Sequence, residues 1–182
     1  MSKKYRSAKT GKYVTKKKAD ESPTVTVAER VVKKATKRKT GKVVTVSGGF
    51  DPIHVGHLRM FEEAKKLGDK LVVIINSDGW LRRKKGAYFM SSKERAEIIK
   101  AFGCVDDVFI YESVKPDVCG ALEKIKPDIF ANGGDRKNVE DIPEAETCAK
   151  LGIEMIFNVG GKKIRSSSTM LQSYCESVIR KS

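Results

Sequence analysis

Two histidines, His54 and His57, are the only ones in the chain. They stand three residues apart, beyond a glycine pair, in the run Ser47-Gly48-Gly49-Phe50-Asp51-Pro52-Ile53-His54-Val55-Gly56-His57. The run follows the β-branched stretch Val43-Val44-Thr45-Val46 and opens a helical pattern in which Leu58, Phe61, Ala64 and Leu67 recur at spacings of three until Gly68. A strand-to-helix corner of this kind suits an anion. Gly48 and Gly49 let the backbone come close to a ligand, and the first N–H groups of a helix have no partner within it. Both imidazoles would project from one helix face. There they can donate hydrogen bonds to phosphate oxygens that gain charge during transfer. Gly56, between them, leaves space where phosphate would sit. An isolated His-x-x-His is more simply a capped turn or a metal site. Here the glycine pair and the first strand end point to phosphate chemistry.

A second cluster of hydroxyls opens the last predicted helix, in Ile164-Arg165-Ser166-Ser167-Ser168-Thr169. One serine is enough to cap a helix, at ~1 kcal/mol. Three in a row, after Gly160-Gly161-Lys162-Lys163, favour a site for the β and γ phosphates of a nucleotide. The segment Arg82-Arg83-Lys84-Lys85-Gly86 reads as a basic loop, either a solvated charge run or a source of phosphate contacts. Trp80 either packs or stacks on a ring. Asp135 and Arg136 follow the fourth strand, where Arg136 is a surface residue or a bidentate partner of an acceptor phosphate. Arg95 lies inside a helix and reads as structural.

The elements that must position these groups alternate. Strands are expected over Val43–Val46, Leu71–Ile75, Val108–Tyr111, Ile129–Ala131 and Met155–Val159. Between them come helices: one opened by the capping box Ser91/Glu94, one beginning at Pro116 and carrying Val118, Leu122 and Ile125, one beginning at Pro143, and a last from about Ser168 to Arg180. Alternation of this kind predicts a parallel sheet covered by helices on both faces, with binding sites beyond the carboxyl ends of the strands.

Charge is uneven. Residues 1–40 hold 14 Lys and Arg against 3 Asp and Glu, a net +11 of the chain's +14, and the remainder holds 23 against 20. So the boundaries expected are a basic, unstructured arm over 1–40 and a folded domain over 41–182, with a short helix possible over 25–34. The arm is by default a solvated extension; contact with nucleic acid or an anionic surface is the alternative. Cys104, Cys119, Cys148 and Cys175 form no C-x-x-C pair, which argues against zinc and for reduced thiols in a cytoplasmic protein. No apolar run approaches the ~20 residues of a membrane span.

The run Gly48 to His57 resembles the H-x-G-H signature of the cytidylyltransferase-like nucleotidyltransferase superfamily. Leu67-Gly68-Asp69-Lys70-Leu71-Val72-Val73 and Asn76-Ser77-Asp78 are similar to glycerol-3-phosphate cytidylyltransferases and to the adenylyltransferase domain of heptose-phosphate enzymes. So are Met90, Glu94-Arg95, Val105-Asp106, Lys126-Pro127-Asp128-Ile129-Phe130 and Gly133-Gly134-Asp135. The resemblance spans about residues 42–175.

It implies a Rossmann-like, doubly wound five-stranded parallel sheet of order 3-2-1-4-5. The implied reaction transfers CMP or AMP from CTP or ATP to a phosphorylated polyol or sugar, releasing pyrophosphate. The implied catalytic residues are His54, His57 and Lys85. Nucleotide binding maps onto Ser47, Gly48, Gly49, Phe50, Asp51, Gly56, Lys84, Asp135, Arg165, Ser166, Ser167 and Ser168, with Arg165 departing from the family's usual apolar residue. Acceptor binding maps onto Asp78, Trp80 and Arg136. Mg²⁺ would accompany the triphosphate, and family members form homodimers. Three alternatives stay open: a pantetheine-phosphate, nicotinate or FAD-forming adenylyltransferase, a nucleic-acid-binding protein acting through the arm, or a degenerate nucleotide-binding regulator.

Overall fold

In the computed structural model the residues described are 3–7, 13–14, 26–30, 41–133, 142–161 and 166–180. The chain divides into two units, Met1–Lys39 and Thr40–Ser182. In the first, β1 (Lys3–Ser7), β2 (Tyr13–Val14) and β3 (Thr26–Arg30) pair antiparallel in the order β2-β1-β3. Lysine-rich composition alone had suggested an unstructured arm. Where a short helix was considered, Thr26–Arg30 is extended, in keeping with the stiff χ1 of its leading pair Thr26 and Val27.

The second unit holds β4 (Val43–Gly48), α1 (Val55–Lys65), β5 (Lys70–Asn76), α2 (Asp78–Lys85), α3 (Ser92–Lys100), β6 (Asp107–Tyr111), α4 (Cys119–Ile125), β7 (Ile129–Gly133), α5 (Ala145–Leu151), β8 (Glu154–Val159) and α6 (Ser167–Ile179). The five strands form one parallel sheet in the order β6-β5-β4-β7-β8, the expected 3-2-1-4-5 within this unit. The uninterrupted apolar strands follow from burial on both faces. Leu71, Val73 and Ile75 pack with Phe61, Ala64 and Ile99 on one side. Ile74 packs with Phe130, Ala121, Leu122 and Cys148 on the other.

Two elements differ from the sequence reading. The supposed basic loop 82–86 is the second half of α2. Ser77 caps it by accepting from the Trp80 amide, Leu81 is fully buried, and Gly86 ends it at φ 84°. Four cations at the negative end of the helix suit its macrodipole. Helix α4 starts at Cys119 rather than Pro116, with Val118 as N-cap.

Several residues that carried the family resemblance turn out to hold the amino end of the sheet. Asp69 Oδ2 accepts from the Lys42 amide at 2.6 Å, Asp106 Oδ2 from the Leu71 amide at 2.6 Å, and Asp128 Oδ2 from the Val43 amide at 2.8 Å. These carboxylates satisfy amides where β4 and β5 begin, far along the strands from the glycine corner. All four cysteines are free. Burial pushes the Cys148 thiol up to about 11, which keeps it protonated and inert. No helix among the described residues is long and apolar enough to cross a membrane.

The close approach at Gly68 gives a stability test. A Cβ there would lie 2.6 Å from the Lys42 carbonyl oxygen and 2.7 Å from Val44 Cγ2, whereas one at Gly103 would meet nothing within 4 Å. Gly68→Ala should lose ~1–3 kcal/mol in urea unfolding by overpacking, and Gly103→Ala should stay within ~0.5 kcal/mol of the parent. Equal midpoints for the two variants would contradict the packing.

Candidate active site

Helix α1 begins at the carboxyl end of β4, and its first turn is closed by the two histidines themselves. His54 is the N-cap, extended at φ −147°. Its Nδ1 accepts from the Gly56 amide at 3.1 Å, and its own amide donates to His57 Nδ1 at 3.3 Å. This is a capping box built from imidazoles instead of Ser and Glu. The rings stack with centroids 3.7 Å apart and an 18° interplanar angle, and His57 rests edge-on against Phe50 at 5.0 Å.

An Nδ1 that accepts a backbone N–H carries no proton, so the neutral form of each ring has its proton on Nε2. The cap thus sets the tautomer of both rings, with both Nε2–H groups as donors at a helix N-terminus. Gly56 is needed for this geometry, because a Cβ there would sit 3.0 Å from His54 Cε1.

The loop before the histidines is held from below. Phe50 has φ 50°, is 5% exposed and also packs edge-on with Phe61. A Cβ on Gly48 would come within 2.8 Å of the Phe50 ring. Asp51, expected to line the nucleotide, is buried. Its carboxylate accepts from the amides of Phe89 and Met90, each at 2.7 Å. The loop before α3 is thereby fastened to the histidine loop. Gly49 accepts at its carbonyl from Arg95 Nη1 at 2.6 Å. Ser47, half-buried, is the next-to-last residue of β4.

Arg95 has no exposed surface and joins four segments. Its Nε donates to the Met90 carbonyl at 3.0 Å, Nη1 to those of Gly49 and Asn76, and Nη2 to Asp78 Oδ1 at 2.7 Å. Asp78, expected to bind an acceptor, also takes the Ser92 amide at 2.6 Å. Its carboxylate is part of the framework that sets the end of β5 against the end of β4.

Helix α2 faces the corner through Leu81, whose Cδ2 would lie 2.9 Å from a Cβ on Gly49. Three of its four cations have partners. Lys84 Nζ sits 4.6 Å from the Trp80 ring centroid, Arg82 lies over Tyr88 at 5.0 Å, and Arg83 Nη2 donates to the Ser113 carbonyl. Lys85, one turn beyond Leu81 on the same face, has no hydrogen bond, ion pair or ring partner among the described residues. Trp80 is half-buried.

The serine cluster reaches the same corner. Ser167 Oγ donates to the Pro52 carbonyl at 2.9 Å, which sets the first residue of α6 against the loop carrying His54. Ser166 is the N-cap, its Oγ accepting from the Thr169 amide at 3.1 Å, and Ser168 is exposed in the first turn. The turn entering this region passes against α1, where a Cβ on Gly160 (φ 85°) would be 2.8 Å from Met60 Cα. Two helix N-termini, α1 and α6, therefore meet at one corner. Asp135, Arg136 and Arg165 lie outside the described residues.

The sequence offered capping histidines as the simpler alternative to phosphate chemistry, and the structure shows both imidazoles in that capping role, at the i, i+3 spacing of a capping box. The framework role of Asp51 and Asp78 left no local signal, since their partners are tens of residues away or backbone groups.

Residues 45–173 match the family model described as cytidylyltransferase-like. The bifunctional protein HldE of Geotalea uraniireducens is 36% identical over 146 residues, covering 74% of this chain and 29% of that protein. The HldE protein of Syntrophotalea carbinolica is 40% identical over 101 residues, covering 54% of this chain and 20% of that one. The chain thus spans between 20% and 29% of the length of these relatives. The crystal structure of the lipopolysaccharide core biosynthesis protein from Thermoplasma volcanium superposes with a TM-score of 0.55 at 28% identity, covering 65% of this chain and 96% of that one. A pantoate-β-alanine ligase from Francisella tularensis shares the fold at TM-score 0.50 and 16% identity. With the histidine corner, the strand order and the matched residues in agreement, the chain belongs to the cytidylyltransferase-like nucleotidyltransferases.

Proposed function

We propose that the domain transfers AMP from ATP to a sugar 1-phosphate of the heptose class, releasing pyrophosphate. The observation that carries this reading is the reciprocal histidine cap, which presents two Nε2–H donors at a helix N-terminus. The choice of ATP and a sugar phosphate rests on the resemblance to the adenylyltransferase domain of heptose-phosphate enzymes and on the HldE relatives. CTP with glycerol 3-phosphate is the second pairing to assay.

In the proposed reaction an acceptor phosphate oxygen attacks the α-phosphorus in line. A new P–O bond forms to the acceptor as the bond to the bridging oxygen of pyrophosphate breaks. The nucleophile is already anionic, so no general base is required. The protein's work is positioning and stabilisation of charge on the α-phosphate and the leaving group. His54 and His57 donate to these oxygens, and the amides and hydroxyls that open α6 take the outer phosphates. Lys85 reaches the phosphates from the Leu81 face of α2, while Lys84 stays on Trp80. Mg²⁺ would enter with the triphosphate as part of the substrate. The described residues contain no cluster of three or more His, Cys, Asp or Glu that would cage it, and Asp51 and Asp78 are engaged by amides and Arg95. Phosphate oxygens and water supply its ligands.

His54→Ala and His57→Ala should each remain folded by circular dichroism and lose at least ~100-fold in pyrophosphate release. Near-normal turnover of either variant defeats the assignment. Lys85→Met should lower kcat/KM for the nucleotide by ~10-fold or more, the scale of one charge-assisted contact, and Lys84→Met should change it little. A larger loss for Lys84→Met reverses the two roles. The substrate is fixed by assaying ATP and CTP against heptose 1-phosphate and glycerol 3-phosphate. Turnover of CTP with glycerol 3-phosphate alone overturns the adenylyl reading and leaves the histidine chemistry standing.

A further inference from the structure

The proposed catalysis makes no use of the first unit, yet Met1–Lys39 holds most of the chain's net charge. Its 14 Lys and Arg face 3 Asp and Glu, so it carries +11, while residues 40–182 carry only +3. A small triphosphate is neutralised by a few contacts at one pocket. Fourteen cations along 39 residues suit a partner whose own charge repeats along its length.

We propose that residues 1–39 bind the phosphate backbone of a nucleic acid, without sequence preference, as a function separate from catalysis. Residue types and backbone favour nucleic acid over an anionic membrane. The unit has no Leu, Ile, Phe or Trp to enter a lipid interface, and its described backbone forms a three-stranded sheet rather than an amphipathic helix. Its aromatic residues are Tyr5 and Tyr13, of the type on which bases stack. The β1–β2 register pairs Tyr5 with Val14 and Arg6 with Tyr13, which places both tyrosines and one arginine at adjacent positions of a single ladder. Lysine clusters flank the strands at Lys16-Lys17-Lys18 and Lys37-Arg38-Lys39. Attraction of this kind acts through release of counterions, so its signature is steep salt dependence.

The test uses the full chain and a short fluorescein-labelled RNA of arbitrary sequence, read by anisotropy. Binding is expected at ~50 mM salt and should weaken by ~1,000-fold or more at ~200 mM. A full-length variant with Lys16, Lys17, Lys18, Lys37 and Lys39 all changed to Glu should lose RNA binding at least ~100-fold. In the same variant pyrophosphate release should stay within ~2-fold of the parent. Both fold-changes follow from removing phosphate contacts that the transfer reaction does not use. Three results would overturn the proposal: no binding by the parent at low salt, undiminished binding by the variant, or binding to phosphatidylserine vesicles in place of RNA. None of them bears on the transferase reading, which stands or falls on turnover.

Discussion

The corner depends on one buried cation. Four of the five N–H donors of Arg95 are taken up by the carbonyls of Gly49, Asn76 and Met90 and by the carboxylate of Asp78. A guanidinium with no exposed surface is tolerated only when its donors are satisfied in this way. The bonds fix the carboxyl end of β4 relative to that of β5, and tie both to α2 and to the loop before α3. Taking the guanidinium away would leave Asp78 uncompensated and three carbonyls without their donor, a loss of ~3–5 kcal/mol on the scale of broken buried pairs. Asp51 extends the same framework to Phe89 and Met90. The histidine loop is therefore held by charge-assisted bonds, from Arg95 to the Gly49 carbonyl and from the Phe89 and Met90 amides to Asp51.

The two ends of the sheet do different work. At the amino end Asp69, Asp106 and Asp128 satisfy the first amides of β4 and β5. At the carboxyl end two helix N-termini converge, and among the described residues Asp51 is engaged by amides and Asp78 by Arg95 and an amide. The described part of this corner is thus rich in N–H donors, and these two carboxylates are engaged within the framework. Residues of one family signature thus split into a set that holds the amino end of the sheet and a set that forms the glycine–histidine corner.

The sheet order and the corner were legible because they rest on local signals. Strands such as Leu71–Ile75 are apolar on both faces, Gly48-Gly49 interrupts the first of them, and Ser91 with Glu94 forms the expected capping box. Helix α2 was misread as a loop because four consecutive cations hide the single buried residue, Leu81, that anchors it. Only the family resemblance assigns Asp51 and Asp78 to ligands, and no local pattern marks their hydrogen-bonding role in the framework. Their partners lie 38, 39 and 17 residues away, and only the fold brings them together. The convergence of the serines on the histidine loop was expected from sequence and appears as the bond from Ser167 to Pro52, 115 residues distant.

The proposed transfer depends on the tautomer that the cap imposes on the two rings. Nitrogen-15 NMR of histidine-labelled protein at neutral pH reads it directly, with and without a magnesium-bound, non-hydrolysable ATP analogue. Both rings should carry their proton on Nε2 with Nδ1 bare, and both Nε2 signals should move as the analogue binds. A proton on Nδ1 of either ring, or Nε2 signals unmoved at saturating analogue, would contradict it.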